Sequence, residues 1–321
     1  MEPTDDTESA LPVFDAEDPV GEFFNGVVEV FYGAQGEPQA VLRGIALLLN
    51  QRNPPPRMLG LSAERQAEAM VDAAWQDADG GAATAVDALR LWPLCPAAFS
   101  FLGVFAAEYP ALSLPLHTIA VLSGYTALGQ QMFEEHAGEF WHLPETRPFM
   151  DALGYLATAH MDAGSLEAAA AHFGEMLSLN PADEQGARFP LLAIALQGGN
   201  HEAVQHLLEI YPDEPGAAFA YGRVLHLLQR RGDVDETRLA LRAARAVNHH
   251  VPDFLTGTRA APEEFPETNE PGGEAEALLY CDLMGPAWEA TEGAVTWLRT
   301  QSPVAAPKAP EKAKRSGPRE V

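Results

Sequence analysis

The sequence predicts an all-α protein in which antiparallel helix pairs stack into a solenoid between disordered termini. Three observations lead there. Alanine and leucine dominate the apolar residues, whereas isoleucine occurs only at Ile45, Ile119, Ile194 and Ile210, a bias against strand because β-branched side chains lose rotamer freedom in helices. Between Ser62 and Phe254, helical segments alternate with short turns marked by Gly or Pro. Within that stretch a set of glycine, small, large apolar and proline positions recurs at a fixed period.

The chain has 321 residues, of which 47% are hydrophobic, enough to bury a continuous core. Its formal charge of −26 disfavours nucleic acid and anionic lipid, which both need a basic footprint, and suits a basic or neutral partner. Charge is uneven along the chain. Residues 1–16 form an acidic tail without Lys or Arg, and residues 301–321 a basic, Pro-rich one carrying Lys308, Lys312, Lys314, Arg315 and Arg319. Cys95 and Cys281 are the only cysteines, which gives no disulfide framework and no thiolate set for zinc, and fits a cytoplasmic setting. The N-terminal residues lack the pattern of a secretory signal.

Residues 17–56 read as an N-terminal capping pair. Asp18-Pro19 opens the first helix, since an Asp N-cap followed by Pro places the missing N–H where no hydrogen bond is lost. Val20, Phe23, Phe24, Val27, Val28 and Phe31 follow at helical spacing, and Gly33 and Gly36 close it. The second helix runs from Pro38, with Val41, Leu42, Ile45, Leu48 and Leu49 inward, until Pro54-Pro55-Pro56.

The repeat array is expected over 57–254. Ala85, Ala88, Leu89 and Pro93 resemble the second half of one repeat and Leu102-Gly103 the start of another. Pro110 to Phe133 carries no charge, but its Pro, His, Gly and Gln residues mark a buried helix rather than a membrane span. Gly164, Gly198 and Gly232 then stand 34 residues apart (198 − 164 and 232 − 198), each followed by Ala169, Ala203 or Thr237, by Phe173, Leu207 or Leu241, and by Pro181, Pro215 or His249. The glycine permits the positive φ that ends a helix, the small residue lets two helices approach, the large one fills the gap to the next repeat, and proline ends the second helix. This spacing resembles the tetratricopeptide repeat and gives repeats at 150–183, 184–217 and 218–251. Residues 255–273 read as an acidic Pro/Gly loop, and 274–300, with Ala275, Leu278, Leu279, Leu283, Trp288, Ala294, Val295, Trp297 and Leu298, as a C-terminal capping pair.

The runs Phe133-Glu-Glu-His-Ala-Gly-Glu-Phe-Trp141, Thr146-Arg-Pro-Phe-Met150, Met176-Leu-Ser-Leu-Asn-Pro181, Asp183-Glu-Gln-Gly-Ala-Arg188 and Val251-Pro-Asp-Phe-Leu-Thr-Gly257 resemble helical-repeat proteins related to the animal suppression-of-tumorigenicity family, over about 62–257. The resemblance implies a tetratricopeptide-like fold and protein binding, with no catalytic motif and no cofactor.

Little in the chain points to chemistry. His201 and His206 are five apart, which turns them away from the shared face a zinc helix needs. Glu139 and His142 form a single Glu-x-x-His, which with Glu135 and His136 makes the one candidate metal cluster and the alternative to a non-catalytic protein. His249-His250, at the end of the last regular helix, fit a cap in which imidazolium meets the helix dipole. No phosphate loop, nucleotide fingerprint or nucleophile elbow occurs.

The expected function is therefore a scaffold or adaptor that holds a peptide or protein in the concave groove. The groove-facing positions of a tetratricopeptide repeat fall on Asp151, Tyr155, Thr158 and Asp162, then Gln185, Arg188, Leu192 and Leu196, then Phe219, Arg223, His226 and Arg230. Arg188, Arg223 and Arg230 either clamp the carboxylate of an acidic or C-terminal peptide or pair with the chain's own Asp and Glu.

Overall fold

The computed structural model describes residues 11–50, 54–262 and 270–301. Among them the secondary structure is entirely helical, fifteen helices without a strand. The acidic and basic tails expected at the ends, and the centre of the loop expected at 255–273, lie largely outside these residues.

Two compact units divide the chain, Met1–Leu191 and Leu192–Val321. The boundary falls inside the second of the expected repeats. In the first unit, α1 (Pro19–Gly33) and α2 (Pro38–Leu49) pack as a pair. The Asp18 carboxylate accepts the Gly21 N–H at 3.1 Å and caps α1. Gly26 faces Leu48 and Gly44 faces Val30 so closely that a Cβ at either would lie 2.5–2.6 Å from the opposing side chain, which explains how the two helices cross.

Then come α3 (Ala63–Ala74) with α4 (Gly81–Leu91), α5 (Pro96–Phe105) with α6 (Pro110–His136), and α7 (Arg147–Asp162) with α8 (Leu166–Leu179). Each pair packs together through a short turn, and the first members also meet, α3 against α5 and α5 against α7. By length and composition α6 is the one helix among the described residues able to span a membrane, and more than half of its apolar window is buried. It breaks at Gly129, where φ is +71° and ψ 160°. Beyond the break Phe133 returns to Tyr125, Phe140 and Phe149, with ring centroids 4.9–5.3 Å apart. Leu179 O, at the end of α8, accepts the N–H groups of both Gly138 and Phe140 at 3.1 Å, satisfying a carbonyl that the helix leaves orphaned.

In the second unit, α9 (Arg188–Gln197, which straddles the boundary) is followed by α10 (His201–Ile210), α11 (Ala217–Arg231), α12 (Asp235–Val247), α13 (Val251–Leu255), α14 (Glu274–Ala290) and α15 (Ala294–Gln301). Its best-connected polar residue is Asn248, which is 1% exposed. The Asn248 amide donates to Gly273 O and the Glu276 carboxylate at 2.9 Å each, its Oδ1 accepts the His250 N–H, and its carbonyl accepts the Tyr221 hydroxyl at 2.6 Å. Glu276 also accepts the Ala217 N–H at 2.9 Å, so α14 ties down the start of α11 and the end of α12 together.

Two sequence expectations shift here. The helix-ending glycines with positive φ are Gly164 (+73°), Gly199 (+63°) and Gly232 (+69°), so in the second repeat the left-handed residue is Gly199 rather than Gly198. Gly198 keeps a helical bond to Ile194 O at 2.9 Å, while Asn200 N–H reaches Ala195 O at 2.8 Å, matching the Ser165 to His160 bond after Gly164. The buried position five residues on is accordingly Val204, not Ala203. His250 sits at the N-terminal side of α13, while Asn248 closes α12, and burial, then neighbouring His249, lowers the His250 imidazole below the ordinary range.

Candidate binding groove

The groove residues expected from the repeat separate into two sets. In the first unit, Asp151, Tyr155, Thr158 and Asp162 all occupy one exposed side of α7. The Thr158 hydroxyl donates back to Gly154 O at 2.9 Å, and the half-buried Gln185 amide donates to the Asp151 carboxylate at 3.0 Å.

Arg188 is engaged within the protein. Its guanidinium donates to the Asp183 carboxylate at 2.7 Å and to Asp183 O at 2.9 Å, and stacks over Phe189 at 4.3 Å. The same carboxylate accepts the backbone N–H groups of Ala187 and Arg188, so Asp183, held at φ +53°, serves as the cap that starts α9.

In the second unit, Leu192 and Phe219 are fully buried and His226 is 7% exposed, so none of them faces a groove. The reason is the surroundings of α11. Tyr211 meets Phe219 at 6.0 Å, His201 meets His226 at 5.3 Å and Tyr280 of α14 meets Tyr221 at 5.5 Å. Leu192 lies against Gly222, where an added Cβ would come within 3.0 Å of its side chain. Of the polar members, Arg223 donates to Pro212 O at 3.2 Å and Arg230 is exposed. The packing of α9, α10 and α11 on one another thus encloses positions that the repeat pattern assigns to an open face.

Within the first unit, α3, α5 and α7 wall a cavity of about 440 Å³. Glu68, Val71 and Asp72 come from α3 and Trp75 from its C-cap, Ala97 and Ser100 from α5, and Arg147, Asp151 and Tyr155 from α7, with Pro144 also on the lining. Two of these residues, Asp151 and Tyr155, were expected from the sequence. The α3 and α5 residues were not, although Glu68, Asp72 and Trp75 stand at helical spacing on one face, offset from the buried Ala67, Val71 and Ala74.

The cavity is acidic and aromatic. Burial, then the neighbouring Asp72, raises the Glu68 carboxyl above its ordinary range. Asp151 keeps an exposed edge, yet protein packed around it raises its carboxyl too, offset in part by the Gln185 amide and Arg147. Arg147, the one cation on the lining among the described residues, donates from Nε to Trp141 O at 2.9 Å and lies over the Trp141 ring. Trp75 and Tyr155 remain 45% and 37% exposed. Beneath Tyr155 the His117 ring stacks at 5.7 Å and 13°, and burial lowers its imidazole to about 4.

A wider depression of about 570 Å³ in the second unit lies at the ends of α9, α11 and α14; of the expected groove residues only Leu196 reaches it. Glu135, His136, Glu139 and His142 do not converge: Glu135 accepts the Gln131 amide at 2.8 Å, and His142 faces Glu184 at 3.6 Å. Among the described residues no three His, Cys, Asp or Glu side chains are grouped to hold a metal ion. No protein-family model matches the chain, and no curated protein matches it.

Proposed function

We propose that the chain is a tetratricopeptide-like solenoid acting as a non-catalytic scaffold or adaptor, which holds an extended segment of another protein in the groove of α3, α5 and α7. The observation that carries this reading is the way the first helices of three successive pairs adjoin and leave a walled cavity with exposed aromatic rings between them. Such surfaces recognise peptides by laying apolar and polar side chains along helix faces that are already rigid, so little ordering cost falls on the scaffold. Two free thiols suit the reducing cytoplasm as its setting.

Substituting Ala97→Trp would fill the groove floor from a half-buried position on α5. The test is recovery of co-purifying protein with the full chain and with this variant. Lost recovery with an unchanged helical spectrum supports the groove; unchanged recovery refutes it.

A further inference from the structure

We propose that the α3/α5/α7 groove takes the Lys or Arg side chains of a basic, extended polypeptide segment, an assignment that rests on the scaffold reading. Three carboxylates, Glu68, Asp72 and Asp151, line one cavity against a single cation among the described residues, Arg147, so the lining keeps a net negative charge. A bound ammonium or guanidinium relieves the repulsion between Glu68 and Asp72 that the empty groove sustains.

An independent feature points the same way. Ser100 is 3% exposed and lines the cavity, yet its hydroxyl has no hydrogen-bond partner among the described residues. A buried polar group without a partner is costly, and an entering N–H donor supplies one. Trp75 and Tyr155 line the same cavity as partly exposed aromatic rings, and aromatic rings attract cations. An acidic segment finds no equivalent here: Arg188, the arginine of this unit expected to clamp it, is held by Asp183. The charge of −26 carried by the whole chain steers basic partners toward it.

The test uses fluorescence anisotropy of a labelled lysine–serine repeat peptide with the full chain at low ionic strength, and a glutamate–serine repeat as its counterpart. The lysine peptide is expected to bind and to weaken with added salt. Glu68→Gln and Asp151→Asn, which keep side-chain shape and so leave folding intact, are each expected to weaken it by about tenfold. Equal binding of the glutamate peptide, or an affinity unchanged in the Glu68→Gln/Asp72→Asn/Asp151→Asn variant, overturns the assignment. So does tighter binding of spermine than of the lysine peptide at the same total charge, which shows a small polyamine site. Tighter binding of a peptide of residues 302–321 overturns the partner in favour of the chain's own basic tail. If the lysine peptide does not bind while Ala97→Trp still abolishes partner recovery, the basic assignment falls and the scaffold reading stands; if Ala97→Trp changes nothing, the scaffold reading itself falls.

Discussion

Protonating His117 should loosen the first unit, by an amount the structure sets. Its side chain lies between α5 and α7, flat on Gly103 and near-parallel to Tyr155, 4% exposed and with Nδ1 unpartnered among the described residues. Desolvation is the cause that lowers its imidazole from 6.5 to about 4. A histidine depressed in this way binds its proton less tightly folded than unfolded. The contribution to stability is therefore complete above 6.5 and is lost as pH falls toward 4, where the unfolded chain holds more protons. The difference corresponds to about 3 kcal/mol between about pH 7 and pH 4. His117→Phe keeps a flat ring against Tyr155 and removes the titration. Urea unfolding followed by circular dichroism at both pH values, for wild type and variant, isolates the histidine from other titrating groups by difference. A variant that loses as much stability as wild type over this interval would refute the reasoning.

Gly103→Ala should lower the thermal midpoint, because its Cβ would sit 2.4–2.7 Å from three ring atoms of His117, an overpacking that costs about 1–3 kcal/mol; scanning calorimetry reads it, and an unchanged midpoint contradicts the close approach of α5 and α6. Asp183→Ala should cost about 3 kcal/mol in chemical unfolding, since it strands the Arg188 guanidinium, 18% exposed, and uncaps α9. Asp183→Asn, which tolerates the positive φ and still accepts the backbone N–H groups, should cost clearly less, and parity between the two would rule out the cap and leave the lost charge as the whole effect. Gly199→Ala should destabilise by about 1 kcal/mol through its φ of +63°, whereas Gly198→Ala should be near neutral; equal effects would mean that the left-handed position is misplaced.

How far the sequence reveals this molecule depends on whether local chemistry decides the outcome. Asp18-Pro19 and Pro38 mark helix starts by the backbone alone, and α1 and α2 begin at those prolines. The period separating Gly164 from Gly232 marks helix ends by the same logic. Between them, the tandem Gly198-Gly199 is ambiguous, because either glycine can adopt positive φ and the choice depends on how α10 seats Val204. Burial of Phe219, Leu192 and His226 is invisible to any single repeat, since it comes from residues of the neighbouring repeat, Tyr211, Gly222 and His201 respectively. The α3 and α5 walls of the groove are obscured for another reason: α4 ends at Leu91 without a glycine, and α6 runs 27 residues, so the period is lost there. One signal was open to inspection. Asn180 and Asn248 stand two periods apart, 248 − 180 = 68, and each closes a second helix while 2% or 1% exposed.

Each unit also contains one free cysteine, Cys95 in the first and Cys281 in the second, and burial pushes both thiols up to about 12. Neither sulfur can ionise appreciably until the surrounding helices part. Alkylation of the native protein is therefore clocked by opening, and the two modification rates, resolved by peptide mass, time the breathing of the two units independently.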